Sequence, residues 1–174
     1  MKTASKSVMA AVMGVSFLLG GCGESDGISP VHEPPGDRFE LRLKGADLEA
    51  YDKVMLGIGS VEVTAGGQPV PVSLSPAGRF MDLSIQDHAH LLGSFYLPKD
   101  APEANIRVRF DDVGLYHQGT EGGLINARSA TILFTSQRVE LEKRKHAVIE
   151  LHLKQSLDQG AGEKVLLPTT FIAH

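Results

Sequence analysis

The chain is expected to be all-β, a single antiparallel β-sandwich of about eight strands. Three observations carry this expectation: apolar residues recur at every second position in several segments, turn residues separate those segments, and no segment sustains a helical period. The 174 residues are 42% hydrophobic and 22% charged, with no Trp and one Cys, proportions that suit one globular domain.

The amino terminus stands apart from that domain. Lys2 and Lys6 form a positive segment before Val8–Leu19, a stretch of about twelve mostly apolar residues that falls short of the roughly twenty needed to span a bilayer. Leu18-Leu19-Gly20-Gly21-Cys22 resembles a bacterial lipobox. Residues 1–21 are therefore expected to be a lipoprotein signal peptide, with Cys22 as the lipid-attachment residue carrying a covalent diacylglycerol and an N-acyl chain. At about 0.8 kcal/mol per buried methylene, those chains would hold the protein at a membrane. The expected location is the bacterial cell envelope, and the outer membrane in a Gram-negative cell, because Gly23 and not Asp follows the cysteine. Removing Lys2 and Lys6 moves the formal net charge from −4 to about −6, which argues against a nucleic-acid partner. With its one Cys at the processing site, the chain has no intrachain disulfide and no CxxC site. Residues 22–37 hold Pro30, Pro34 and Pro35 among polar residues and glycines, the composition of a flexible tether reaching up to about 45 Å.

The folded domain is expected over residues 38–174. In Arg38–Lys44, Phe39, Leu41 and Leu43 alternate with charged residues, so a strand would face the core on one side and water on the other. Lys53–Thr64 starts with Val54, Leu56 and Ile58 in phase and continues with Val61 and Val63 in the opposite phase. Gly57, Gly59 and Ser60 straddle the change, which predicts a bulge or bend. The alternative of a phosphate loop at Gly57-Ile58-Gly59 lacks a third glycine and a following helix. A turn at Ala65–Gln68 returns the chain through Val70, Val72 and Leu74, and a turn at Ser75–Gly78 leads to Phe80, Leu83 and Ile85. Gln86–Leu92 is expected to form one helical turn and Ser94–Leu97 a short strand. Asn105–Val113 alternates cleanly, Gly119–Gly123 is expected to be loop, and Ser129–Phe134 and Arg138–Glu142 strands. Ile149, Leu151 and Leu153 mark another strand, then a Gly160–Gly162 turn and a last strand over Lys164–Ile172. Asp47–Tyr51 has room for no more than a helical turn.

The run Glu40-Leu-Arg-Leu-Lys-Gly-Ala-Asp, followed by Tyr51-Asp-Lys-Val-Met-Leu-Gly-Ile-Gly-Ser-Val-Glu-Val, resembles the opening of the DUF4382 domain found in many bacterial and archaeal lipoproteins. Asp82-Leu-Ser-Ile, Leu91-Leu-Gly-Ser, Leu97-Pro-Lys, Ile106-Arg-Val-Arg-Phe and Leu166-Leu-Pro are similar to later segments of that family, in order. The resemblance spans roughly residues 38–172. It implies a transthyretin-like or immunoglobulin-like sandwich tethered to a cell envelope, and it carries no catalytic residues over. The segment Tyr116–Ala127 departs from the family pattern.

Chemistry-bearing residues are few. Asp87-His88-Ala89-His90 projects two imidazoles to one side if extended, and with Asp82 and His117 these could form a zinc or copper site. Against that stands a solvated connector between Ile85 and Leu91, so His88 and His90 are weak metal candidates and no metal is expected. Asp111, Asp112 and Glu121 lack EF-hand spacing. No Gly-x-Ser-x-Gly or HExxH motif occurs, so an enzyme is not expected. A carbohydrate-processing enzyme remains a third reading, because a carboxylate separation of roughly 5 to 9 Å depends on the fold. Tyr96 and Tyr116 are the candidate platform residues for a glycan, and Lys143-Arg144-Lys145-His146 is a basic run suited to acidic headgroups or an anionic polysaccharide. The expected role is a non-catalytic binding or structural module with an envelope protein or polysaccharide as partner. The alternative is a metal- or small-ligand-binding lipoprotein. Made in a bacterium, the chain should incorporate labelled palmitate and its Cys22→Ser variant should not; an intact mass without acyl groups on the unsubstituted protein refutes the lipoprotein assignment.

Overall fold

The computed structural model describes residues 35–159 and 163–174. The expected leader, Cys22, the tether as far as Pro34 and the Gly160–Gly162 turn lie outside the described residues. Strand β1 spans Asp37–Ala46, β2 Lys53–Leu56, β3 Ile58–Ala65, β4 Gln68–Val70 and β5 Val72–Leu74. A two-residue β6 (Met81–Asp82) precedes β7 (His90–Leu97), β8 (Glu103–Phe110), β9 (Val113–Gln118), β10 (Glu121–Asn126) and β11 (Thr131–Gln137). Helix α1 (Arg138–Arg144) leads to β12 (His146–His152), the four-residue α2 (Leu153–Ser156), β13 (Leu157–Gln159), β14 (Lys164–Leu166) and β15 (Thr170–Ala173).

The described residues are all-β in character and form three sheets. The first has the order β15-β12-β1-β7-β5, the second β13-β14-β10-β9-β2-β6 and the third β11-β8-β3-β4. β1 behaves as its alternation predicts: Phe39, Leu41 and Leu43 are buried, and the charged residues between them lie on the outer face. Buried side chains from all three sheets form one cluster, Phe39, Phe95 and Phe110 being the largest. The compact unit Pro34–His174 contains every member of that cluster, so it carries its own core.

One feature of connectivity organises the second and third sheets. β10, β9 and β2 are neighbours in the second sheet, and their chain continuations β11, β8 and β3 are neighbours in the same order in the third. Three long stretches of chain therefore break at one level, at Gly57, at Asp111–Asp112 and at residues 127–130. Backbone bonds cross the break: Asp111 N–H donates to the Gly57 carbonyl at 2.9 Å, Ala127 N–H to that of Asp112 at 2.9 Å and Phe110 N–H to that of Ala130 at 3.3 Å. The phase change in Lys53–Thr64 is the sequence trace of this corner. Val54 and Leu56 are buried before it and Val61 and Val63 after it, and the β3–β8 register shifts between Ile58 and Ser60. A Cβ on Gly57 would run into the Asp111 carboxylate and stand 2.5 Å from the Arg79 carbonyl oxygen.

Several elements differ from the expectation. The pairing is mixed: β1–β12 and β10–β14 are parallel. The described residues hold fifteen strand segments against about eight expected, in part because the corner divides Lys53–Thr64 and the β9–β10 hairpin adds strands. Arg138–Glu142 is helix. Its residues are good helix formers, Arg138 pairs with Glu142 at 3.2 Å and Glu140 with Lys143 at 2.6 Å, and of its two aliphatic residues only Leu141 is buried while Val139 is exposed. Gly119–Gly123 is the closed end of the β9–β10 hairpin, with Gly119 at φ +60° in the turn. In place of the helical turn expected over Gln86–Leu92, Gln86 and Asp87 lie in a turn and β7 starts at His90. The last strand divides into β14 and β15 around Pro168. Asp47–Tyr51 does contain a single short helical turn, Leu48–Ala50.

Arg138 ties the start of this fold together. Its guanidinium donates to Asp37 Oδ2 at 2.7 Å, to the Ala101 carbonyl at 2.9 Å and to the Leu97 carbonyl at 3.2 Å, and it also reaches the Pro98 carbonyl. The side chain is only 13% exposed, so these partners replace most of its water.

Replacing Gly57 by Ala should cost about 2 kcal/mol in urea unfolding, as overpacking does, whereas Gly122→Ala should stay within about 0.5 kcal/mol. Equal midpoints for the two variants contradict the corner's steric requirement.

Candidate functional site

Two surface features stand out, one apolar and one basic. The apolar one lies on the outer face of the second sheet. Register places Leu124 of β10 opposite Leu115 of β9, and Leu115 opposite Met55 of β2, so one row of hydrophobic side chains crosses three strands. Leu115 is 43% exposed, Leu124 56% and Phe80, just before β6, 58%. These four residues with Lys53 and His117 line a cleft of about 400 Å³. Val113 and Val165 extend the apolar surface on either side of Asn126, to which both are paired. Hydrophobic residues grouped in this way mark binding surfaces more often than singly exposed ones do.

Tyr116, expected as a platform residue, borders this cleft, but its ring is taken up by packing. It stands edge-on to Tyr51 at a centroid distance of 6.4 Å, and the Lys164 ammonium lies 4.7 Å from it and 5.1 Å from Tyr51. Lys164 is buried, with its amine 3.4 Å from Tyr51 Oη, so two aromatic faces and a phenol take the place of a carboxylate. Gly123 leaves room for the Tyr116 ring: a Cβ there would sit 3.1 Å from it.

The basic feature is built by β1, β12 and the end of α1. Arg38, Glu40 and Arg42 point outward from β1 at alternate positions. Parallel pairing sets Glu40 opposite His146, and Glu40 N–H donates to the Lys145 carbonyl at 3.0 Å. Lys145 takes φ +60°, the left-handed conformation that ends α1, and its N–H is bonded to the Leu141 carbonyl. The result is a groove of about 270 Å³ lined by Arg38, Glu40, Arg42, Arg144, Lys145 and His146. Tyr96 of β7 is the cross-strand neighbour of Arg38 and lies on the same outer face. Glu40 is occupied by Arg42, whose Nη2 and Nε donate to it at 2.7 and 3.2 Å. That bond holds the Glu40 carboxyl below the usual carboxylate range, against an opposing push from burial. Lys143 is turned along α1 to Glu140 and does not line the groove.

The structure thus brings Tyr96, Arg144 and Lys145 to one surface and leaves Lys143 and Tyr116 out of it. Arg38 and Arg42 were not singled out from the sequence. Their only trace there is the charged phase of the β1 alternation, and what joins them to the 143–146 run is a parallel pairing between segments about a hundred residues apart.

His88 and His90 stand together, their ring centroids 4.3 Å apart. His90 Nε2 donates to the Asp82 carbonyl at 2.9 Å, which leaves its Nδ1 as the free nitrogen. The proposed companions are engaged elsewhere: Asp82 Oδ1 accepts from the Ser84 hydroxyl at 2.6 Å, and His117 faces Asp52 at 3.3 Å. Among the described residues no group of three His, Cys, Asp or Glu side chains is arranged to hold a metal ion. The corner itself bounds a cleft of about 520 Å³, where Arg79 and Asp111 face solvent beside Gly59 and Pro76. The chain matches no family model, no curated protein and no solved structure.

In a chemical-shift titration Glu40 should show a midpoint below 4.5, and Arg42→Gln should raise it towards that value. The stability that the pair adds is present above the ordinary carboxylate pKa and fades as pH falls through the lowered one. An unchanged midpoint in the variant contradicts the assignment.

Proposed function

We propose that this chain is a non-catalytic binding module anchored to a bacterial cell envelope through lipid on Cys22, and that its partner is an envelope protein. On this reading residues 1–21 are removed, the first sheet forms one layer and the second and third form the other layer of a single sandwich, and the resemblance to the DUF4382 domain reflects kinship. The observation that carries the binding role is the row formed by exposed Leu124 and Leu115 and half-buried Met55, with exposed Phe80 beside it. A solvated sheet face has no structural need of such a row, since polar residues serve there equally well. A protein surface covering it would bury apolar area at about 25 cal/mol per Å², whereas a polysaccharide offers little apolar area in return.

A photo-crosslinking residue at position 124, in cells that make the protein, should yield one discrete protein adduct. The same residue at position 133, which is 66% exposed on β11 of the third sheet, should not. No adduct at position 124, or the same adducts at both positions, overturns the assignment, and a protease-resistant adduct transfers it to a polysaccharide.

A further inference from the structure

We propose that the groove between β1 and the α1–β12 junction docks the domain onto anionic lipid headgroups, with their phosphates received by Arg38, Arg144 and Lys145. The inference rests on the lipid-anchored reading for its choice of partner. Three observations support it. The first is charge. The unit Pro34–His174 holds 15 Lys and Arg against 18 Asp and Glu, so it is acidic as a whole. Against that background five of the six residues lining the groove are Arg, Lys or His. The sixth, Glu40, is neutralised by the two bonds from Arg42. Among the described residues no carboxylate lies within salt-bridge distance of Arg38, Arg144 or Lys145, in contrast to Arg138, whose guanidinium is bonded to Asp37 and to backbone carbonyls.

The second observation is placement. Arg38 is the second residue of β1, so the expected tether from Cys22 joins the fold one residue away from the groove. A flexible tether joined at that end lets this part of the domain come within the Debye length of about 8 Å over which headgroup charge acts. The third is the neighbour. Tyr96, half-buried beside Arg38 on the outer face of the first sheet, is an aromatic of the kind that settles at the level of lipid headgroups.

The groove differs from the 143–146 run taken alone. Lys143 is withdrawn to Glu140, and the acceptor geometry comes from two parallel strands. A cation at the headgroup surface adds roughly fivefold in affinity, so removing three should weaken binding on the order of a hundredfold.

The test uses the domain of residues 34–174, which contains the whole described core and lacks Cys22, so that lipidation plays no part in the result. Its partition is measured with vesicles of phosphatidylcholine and with vesicles of phosphatidylcholine mixed with phosphatidylglycerol. Binding should occur to the mixed vesicles only and weaken as salt rises. The variant Arg38→Gln, Arg144→Gln, Lys145→Asn should lose it, asparagine being suited to the left-handed position. Arg144→Gln alone should weaken binding about fivefold. A variant with the same charge loss elsewhere, Arg107→Gln, Arg109→Gln, Lys154→Gln, should bind as the parent does. Circular dichroism confirms that each variant is folded. Equal loss in both triple variants, or no preference for phosphatidylglycerol, overturns the proposal. So does tighter, groove-dependent binding to an anionic polysaccharide such as polygalacturonate. Failure of palmitate incorporation at Cys22 refutes the anchor and leaves the vesicle result standing as a separate fact.

Discussion

The corner at Gly57 is the constraint on which the arrangement depends. Three long stretches of chain have to leave one sheet and enter another at the same level, and there the second stretch places the Asp111 side chain against the backbone of the first. Only a residue without a Cβ can pass between Asp111 and the Arg79 carbonyl. The bonds from Asp111 to Gly57 and from Ala127 to Asp112 then keep the broken strands in step. If the stretches continued straight, β9 and β10 would extend the third sheet, and the outer face bearing Leu115 and Leu124 would not exist as a separate surface.

That separation sets where the two candidate surfaces lie. The basic groove belongs to the end of the fold where Arg138 gathers Asp37, Leu97, Pro98 and Ala101. β8 begins at that end, since Arg138 N–H donates to the Pro102 carbonyl, and its eight residues run about 25 Å before the corner is reached. The apolar row lies beyond it. One domain can therefore face a charged surface with one end and offer hydrophobic side chains with the other, without the two competing for the same partner. The intervening core, closed by Phe39, Phe95 and Phe110, makes the two ends one rigid body at the level of packing.

The parts of the fold that could be foreseen are those governed by neighbours in sequence. β1 and β8 show their buried faces by alternation, and the phase reversal around Gly57 marks the corner. The misread elements share a cause. In α1 the apolar residues Val139 and Leu141 are two apart, which imitates a strand, while the pairs that stabilise the helix are three and four apart. The β9–β10 hairpin was hidden because its solvent face carries Leu115 and Leu124, the reverse of the polarity that identifies an outer face. The basic groove was half visible, as the run from Lys143 to His146, but its other half depends on the register of β1 against β12, which no local pattern encodes. Lys164 gave no signal, since its burial follows from Tyr51 and Tyr116 arriving from two other strands and loops.

Amide hydrogen exchange at Asp111 and Ala127 tests the shared corner most directly, because both residues lie between strands where a loop would exchange freely. Their protection should match that of Val108 within β8, since each donates a backbone bond across the break. Exchange at the rate of Thr120, in the exposed turn of the β9–β10 hairpin, would contradict it.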